Sequence, residues 1–206
     1  MLRRVAGDVS RETFMRLDLF EQRFREWNSR INLTSSADTD QIWPRHIVDS
    51  AQIPALRPRS RRWLDFGSGG GFPGAVLAIM LAETDGVTVH LVESNRKKAA
   101  FLSRIVAETG APAQVHACRI EALHGRIDDV ETITARAVAD LKTLLFLARP
   151  WLEGPATALF QKGRDYRREI EDSRDAWRFD LIEHQSLTDP EAVILQIAAL
   201  RAVPTG

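Results

Sequence analysis

The residues best suited to chemistry in this chain are Asp65-Phe66-Gly67-Ser68-Gly69-Gly70-Gly71-Phe72-Pro73-Gly74. Glycines let a backbone turn tightly and approach a ligand with no Cβ in the way. Proline suits a first helical position, and the N–H groups that open a helix favour carboxylates and phosphates. Two nucleoside ligands compete for such a loop. Gly69, Gly71 and Gly74 match the G-x-G-x-x-G spacing of dinucleotide loops, a weak signal by itself. Asp65 opposes that reading, because an anionic side chain there would repel a pyrophosphate. The same carboxylate suits the amino group and sulfonium region of S-adenosylmethionine. Glu93 ends the next apolar run, where a carboxylate can accept both hydroxyls of a ribose, so it supports either nucleoside. Asp65, Gly67, Gly69, Gly71 and Glu93 are therefore the candidate donor-binding residues.

The flanking elements must place this loop beyond the carboxyl ends of parallel strands, where ligands bind in open α/β sheets. Trp63–Phe66 reads as a strand and Gly74–Glu83 as a helix. Further strands are expected over Val87–Glu93, Ala113–Ala117, Glu131–Arg136 and Ala156–Gln161. Helices are expected over Arg96–Thr109, Leu141–Leu152 and Asp165–Trp177. Alternation of strand and helix means a mainly parallel sheet covered on both faces. Phe179–His184 and Ala192–Ala199 have no helix between them and should pair antiparallel at an edge.

Before the first strand the rhythm differs. Residues 10–31 read as an amphipathic helix capped by Ser10, with Phe14, Leu17, Phe20 or Glu21, Phe24, Trp27 and Ile31 on its apolar stripe. A less regular segment covers Asp40–Leu56, and the basic run Arg57–Arg62 looks like a linker. The expected division is a helical extension over 1–60 and a ligand-binding domain over 61–206.

The 206 residues carry 28 basic and 28 acidic side chains, so no global field demands a nucleic acid. Any RNA-binding face has to be local; candidates are Arg25, Arg30, Arg45, the arginines of 57–62, and Lys97-Lys98, each equally readable as solvated surface. The single cysteine, Cys118, cannot close an internal disulfide, which fits a reducing cytoplasm. No signal peptide, no apolar run of about 18 residues and no metal-ligand spacing is evident.

The order and spacing of several short blocks carry a resemblance. They are Trp27-Asn28 with Ile31-Asn32-Leu33-Thr34-Ser35, Arg45-His46-Ile47 with Asp49-Ser50, and the glycine loop. Lys97-Lys98 with Phe101-Leu102, Arg119-Ile120-Glu121, Ala135-Arg136-Ala137 and Lys162-Gly163 follow. Together they resemble the bacterial small-subunit ribosomal RNA guanine-N7 methyltransferases, the glucose-inhibited division protein B family. The resemblance implies an α/β, Rossmann-like class I S-adenosylmethionine-dependent fold. Its sheet would be seven-stranded and mainly parallel with antiparallel last strands, with an N-terminal helical extension. It implies methyl transfer to N7 of one guanosine in 16S ribosomal RNA, free or in an assembly intermediate. Gly67 and Phe72 would then contact the donor, Ile120 and Glu121 would flank its adenine, and Arg136, at the end of the fourth strand, would also belong to the donor-binding set. Two departures stand out: Gly70 where many relatives carry proline, and Glu93 where they often carry aspartate.

Asn32, Arg45, His46 and Lys162 are the candidate substrate-binding residues, with bland alternatives. Asn32 can be a helix stop, His46 a buried structural partner of Arg45, and Asp49 an i, i+4 partner of Arg45. No general base is assigned, since guanine N7 has a lone pair and no proton. A nicotinamide-dependent oxidoreductase and a non-catalytic ribosome-assembly factor are the rival readings.

Overall fold

A computed structural model describes residues 2–34 and 41–204. After a short helix α1 (Leu2–Ala6), α2 runs over Arg11–Ile31. Ser10 Oγ accepts from the Thr13 amide at 3.0 Å and caps its start, and Asn32 ends it in the left-handed region at φ 50°. A π-helical turn, Ile42–Ile47, leads into α3 (Val48–Ala51) and α4 (Ile53–Leu56). Strands and helices then alternate: β1 (Arg62–Phe66), α5 (Gly74–Met80), β2 (Thr88–Val92), α6 (Arg96–Thr109) and β3 (Ala113–His116). A 3-10 turn at Ile120–Leu123 follows, then β4 (Thr132–Arg136), α7 (Leu141–Leu152), β5 (Thr157–Lys162), α8 (Tyr166–Ser173), β6 (Trp177–Gln185) and β7 (Val193–Ala202). Asn95 caps α6 through the Lys97 and Lys98 amides, and Gly110 closes it at φ 63°.

Among the described residues the sheet has seven strands in the order β3-β2-β1-β4-β5-β7-β6. β1 to β5 are mutually parallel, and β7 pairs antiparallel with β5 and β6. Side chains alternate between two cores, as the pleat requires. Trp63, Val89, Leu91 and Leu159 point to one face, against α2, α5 and α6. Leu64, Ile133, Ala158 and Phe160 point to the other, against α7 and α8. The extension shares the first core: Leu17, Phe20 and Phe24 are fully buried with Phe101 and Val76.

The structure differs from the sequence expectation in four places. Phe14 leaves the apolar stripe: it is 49% exposed and stacks on Trp43 at 5.4 Å, while Thr13 is buried in its place. The helix expected to Trp177 stops at Ser173, because Trp177 is wanted in the second core and opens β6 instead. Three arginines of α2 are ion-paired and not free on a basic face. Arg16 pairs with Glu83, Arg23 with Glu108 and Glu26, and Arg25 with Glu21. Finally, Arg57 and Arg59 precede β1 and so lie at the amino ends of the strands, in a groove with Asp128, Asp129 and Glu131. Five residues of β1, roughly 16 Å of strand, separate that cluster from the glycine loop. As a candidate RNA-binding cluster it therefore lies away from the loop.

Candidate functional site

The loop leaves β1 at its carboxyl end, and Gly67, Gly69 and Gly71 take φ values of 59°, 52° and 95°. The Ser68 amide donates to Val92 O at 2.9 Å, tying the turn to β2. A Cβ at Gly67 would lie 2.8 Å from Val138, and one at Gly71 would crowd Ala75 and Phe20. At Gly69 a Cβ would meet only Gly67 O, at 3.5 Å, so the outer side of the loop opens onto space. Backbone without a Cβ and open on one side is what close approach of a ligand needs.

Two carboxylates support it. Asp65 has no exposure, and its Oδ1 accepts from Thr134 Oγ1 at 2.6 Å. A Cβ at Gly74 would overlap its other oxygen, so glycine there lets α5 begin directly over the acid. Burial pushes the Asp65 carboxyl up to about 7. Glu93, just past β2, accepts from the Gly69 amide at 2.9 Å and from the Asn95 amide at 2.7 Å. It thereby joins the loop to the cap of α6. Ile120 is buried and Glu121 exposed in the 3-10 turn beyond β3, on the same side of the sheet.

Phe72 is held by rings from the extension, 5.4 Å from Phe20, 5.3 Å from Phe24 and stacked on His46 at 5.0 Å. His46 brings in the second half of the site. A cleft of about 730 Å³ lies beyond the carboxyl ends of β4 and β5, bordered by Arg45, His46, Asp49, Arg136, Gln161 and Lys162. Arg136 Nη2 donates to His46 Nδ1 at 2.6 Å, and Nη1 lies 3.3 Å from Asp49 Oδ2. Lys162 is nearly buried, with Nζ donating to Ala139 O at 2.7 Å and Glu169 Oε2 at 2.6 Å.

Of the four substrate candidates, Arg45, His46 and Lys162 meet in this cleft. Asn32 does not line it; it is exposed, and its neighbour Leu33 packs beside Gly70. Asp49 turns to Arg136, Gln161 and Thr188 rather than to Arg45, because the π-helical turn breaks the α-helical i, i+4 register. Gln161 was missed altogether. The signal available for it was its place at the carboxyl end of a parallel strand, the same place that marks Asp65. Among the described residues no group of three or more His, Cys, Asp or Glu side chains could hold a metal ion.

This strand order, with an antiparallel final pair and a glycine loop after β1, is the fold of the Rossmann-like methyltransferases. Aeropyrum pernix fibrillarin with bound S-adenosyl-L-methionine matches at TM-score 0.55 and 14% identity, over 75% of each chain. A point mutant of MtNAS in complex with S-adenosylmethionine matches at TM-score 0.58 and 14% identity, over 90% of this chain and 76% of that one. Sequence comparison is more specific. The family model for rRNA small subunit methyltransferase G matches residues 14–197. The ribosomal RNA small subunit methyltransferase G of Chelativorans sp. (strain BNC1) is 56% identical over 97% of this chain and 95% of its own. That of Brucella canis is 51% identical, over 97% and 94%. The chain belongs to the rRNA small subunit methyltransferase G family.

Proposed function

We propose that this chain transfers the methyl group of S-adenosylmethionine to N7 of a specific guanosine in small-subunit ribosomal RNA. One observation carries the reading: the glycine cradle and the polar cleft bordered by Arg45, Arg136 and Lys162 are adjacent, joined by the His46–Phe72 stack and by Val138 against Gly67. Family membership supports the same reaction.

The residues present fit the donor. The backbone of Gly67, Gly69, Gly71 and Phe72 forms the cradle, Glu93 takes the ribose hydroxyls, and Ile120 and Glu121 flank the adenine. Arg136 stands between donor and target. Asp65, being fully buried, acts as a support beneath the loop and not by open contact. Residues 61–206 form the catalytic domain, and 1–60 the extension that supplies His46 and the rings around Phe72.

S-adenosylmethionine, when bound, supplies a methyl carbon made electrophilic by the sulfonium beside it. Guanine N7 carries an in-plane lone pair, so no residue has to remove a proton first. The N7–C bond forms as the C–S bond breaks, the electron pair stays with sulfur, and the positive charge passes to the base. The chain's contribution is placement, which can supply several kcal/mol of barrier lowering. A two-pronged arginine grip on O6 and N7 is the common way to read guanine, but it would cover the attacking lone pair. Arg136 is engaged by His46 and Asp49, which favours a single contact to O6 or to a phosphate. Arg45 borders the cleft mouth for phosphate contact, and Lys162, anchored by Glu169, shapes the wall. Asn32 precedes Leu33, which packs beside Gly70.

The substrate is the small-subunit RNA, free or in an assembly intermediate, and the compartment is the cytoplasm. No helix among the described residues is long and apolar enough to cross a membrane. The test is transfer from labelled donor to naked small-subunit RNA, to mature subunits and to assembly intermediates, followed by mass spectrometry of the nucleosides. N7-methylguanosine at one position is the expected result. No transfer to any of the three, or a methyl group on another atom, overturns the proposal.

A further inference from the structure

Asp49 gathers more partners from distant parts of the chain than any local role requires. Its Oδ1 accepts from Thr188 Oγ1 at 2.7 Å and from Gln52 Nε2 at 2.8 Å. Its Oδ2 accepts from Gln161 Nε2 at 2.7 Å and faces Arg136 Nη1 at 3.3 Å. One carboxylate of the extension thus meets β4, β5 and the β6–β7 turn at the wall of the cleft. The Thr188 bond is what docking the extension needs, and the Gln52 bond is local to the extension. The Arg136 contact is different, because Arg136 also donates to His46 Nδ1 at 2.6 Å, and His46 stacks on Phe72 of the glycine loop. The guanidinium therefore has an imidazole nitrogen on one side and an anion on another. At 3.3 Å the Asp49 contact is an ion pair, longer than a charge-assisted hydrogen bond.

Resting on the methyl-transfer reading above, we infer that Asp49 is a positioning residue for the reaction, with two effects on Arg136. It draws the Nη1 side of the guanidinium toward the extension, away from a two-pronged grip on O6 and N7, and so leaves N7 open. It also neutralises Arg136 while the target base gains charge. In the transfer N7 donates its lone pair to the methyl carbon, sulfur keeps the C–S pair, no proton moves, and the guanine becomes a cation. A guanidinium without its counter-ion would oppose that charge in a cleft where water screens poorly. With Asp49 in place, the pair presents a dipole and no net charge. The role is separable from donor binding, since Asp49 touches neither the glycine loop nor Glu93.

The experiment compares Asp49→Asn and Asp49→Glu with the wild-type chain in steady-state methylation of small subunits, with donor affinity by calorimetry and thermal melting alongside. Asparagine keeps the shape and loses the charge. The expected result is a kcat at least tenfold lower for Asp49→Asn, with KM for the subunit and donor Kd within threefold of wild type. Asp49→Glu should recover at least threefold of that loss. A kcat for Asp49→Asn within twofold of wild type overturns the inference. So does a loss of activity that falls in step with melting temperature and donor affinity, which is the mark of a docking role only. The wild-type arm reads the underlying reaction separately: if wild-type protein makes no N7-methylguanosine, the functional proposal fails, whatever the variants do.

Discussion

Gly69 donates its amide proton to Glu93 Oε2 across 2.9 Å, so the carboxylate after β2 braces the glycine loop after β1. The same carboxylate receives the Asn95 amide at 2.7 Å. Each oxygen uses one lone pair within the protein and keeps another for a ligand. Glu93→Ala therefore removes a loop brace as well as the two acceptors proposed for the ribose. Hydrogen bonds to charged groups are worth roughly 1.5–3 kcal/mol each, so donor affinity should fall at least tenfold. Calorimetry with S-adenosylmethionine checks this, and a change under twofold would place the ribose elsewhere.

Gly69 itself is held at φ 52° with open space outside it. Gly69→Val puts a β-branched residue into a left-handed conformation, a strain of about 1–3 kcal/mol. A folded protein that has lost donor binding is expected. Gly74→Ala contrasts with it, because a Cβ there overlaps the buried Asp65 carboxyl. That variant should melt well below Gly69→Val. Melting curves read with calorimetry separate the two; unchanged donor affinity in folded Gly69→Val would remove the loop from the site.

Asp65 makes stability depend on pH in a particular direction. Its carboxyl is raised by burial from 3.8 to about 7. Below pH 3.8 both folded and unfolded chains hold the proton, and the contribution is complete. Between about 4 and 7 the unfolded chain releases it while the folded chain retains it, so stability drains away as pH rises. The slope approaches about 1.4 kcal/mol per pH unit and flattens above about 7. Asp65→Asn cannot titrate. Its stability relative to wild type should therefore improve steadily from about pH 4 to 7 in denaturant titrations. A constant difference over that range would mean that Asp65 is ionised in the folded state.

Much of this architecture is legible in the sequence because it is local. The capping side chains of Ser10 and Asn95, the helix stop at Gly110 and the apolar runs of β1 to β5 each determine their own element. The loop after β1 is legible because glycine spacing and backbone conformation are directly linked. What fails is decided by packing. Thr13 is buried instead of Phe14 because Trp43, twenty-nine residues on in the numbering, offers Phe14 a partner outside the core. Trp177 belongs to a strand because the second core needs its ring. The partners of Asp49 come from β4, β5 and the β6–β7 turn, and no local pattern specifies them. The place of Arg59 was recoverable, since residues that precede a parallel strand lie at the end away from the ligand.

That last point changes the expected RNA-binding face. A chain with 28 basic and 28 acidic residues must hold RNA through a local patch. Arg45 is exposed at the cleft, while Arg59 is exposed in the groove at the opposite ends of the strands. The arginines of α2 at positions 16, 23 and 25 are already paired with glutamates. Arg45→Ala should then lower methylation of small subunits and reduce the salt slope of binding by roughly one unit, the signature of one lost phosphate contact. Arg59→Ala should match wild type in rate and in salt dependence. Donor affinity should stay unchanged in both, because neither side chain belongs to the glycine cradle or to the Glu93 brace. Methyl transfer across a salt series, with calorimetry of donor binding, distinguishes the outcomes. If Arg59→Ala loses activity while Arg45→Ala keeps it, the RNA wraps toward the amino ends of the strands and the cleft mouth is not its docking face.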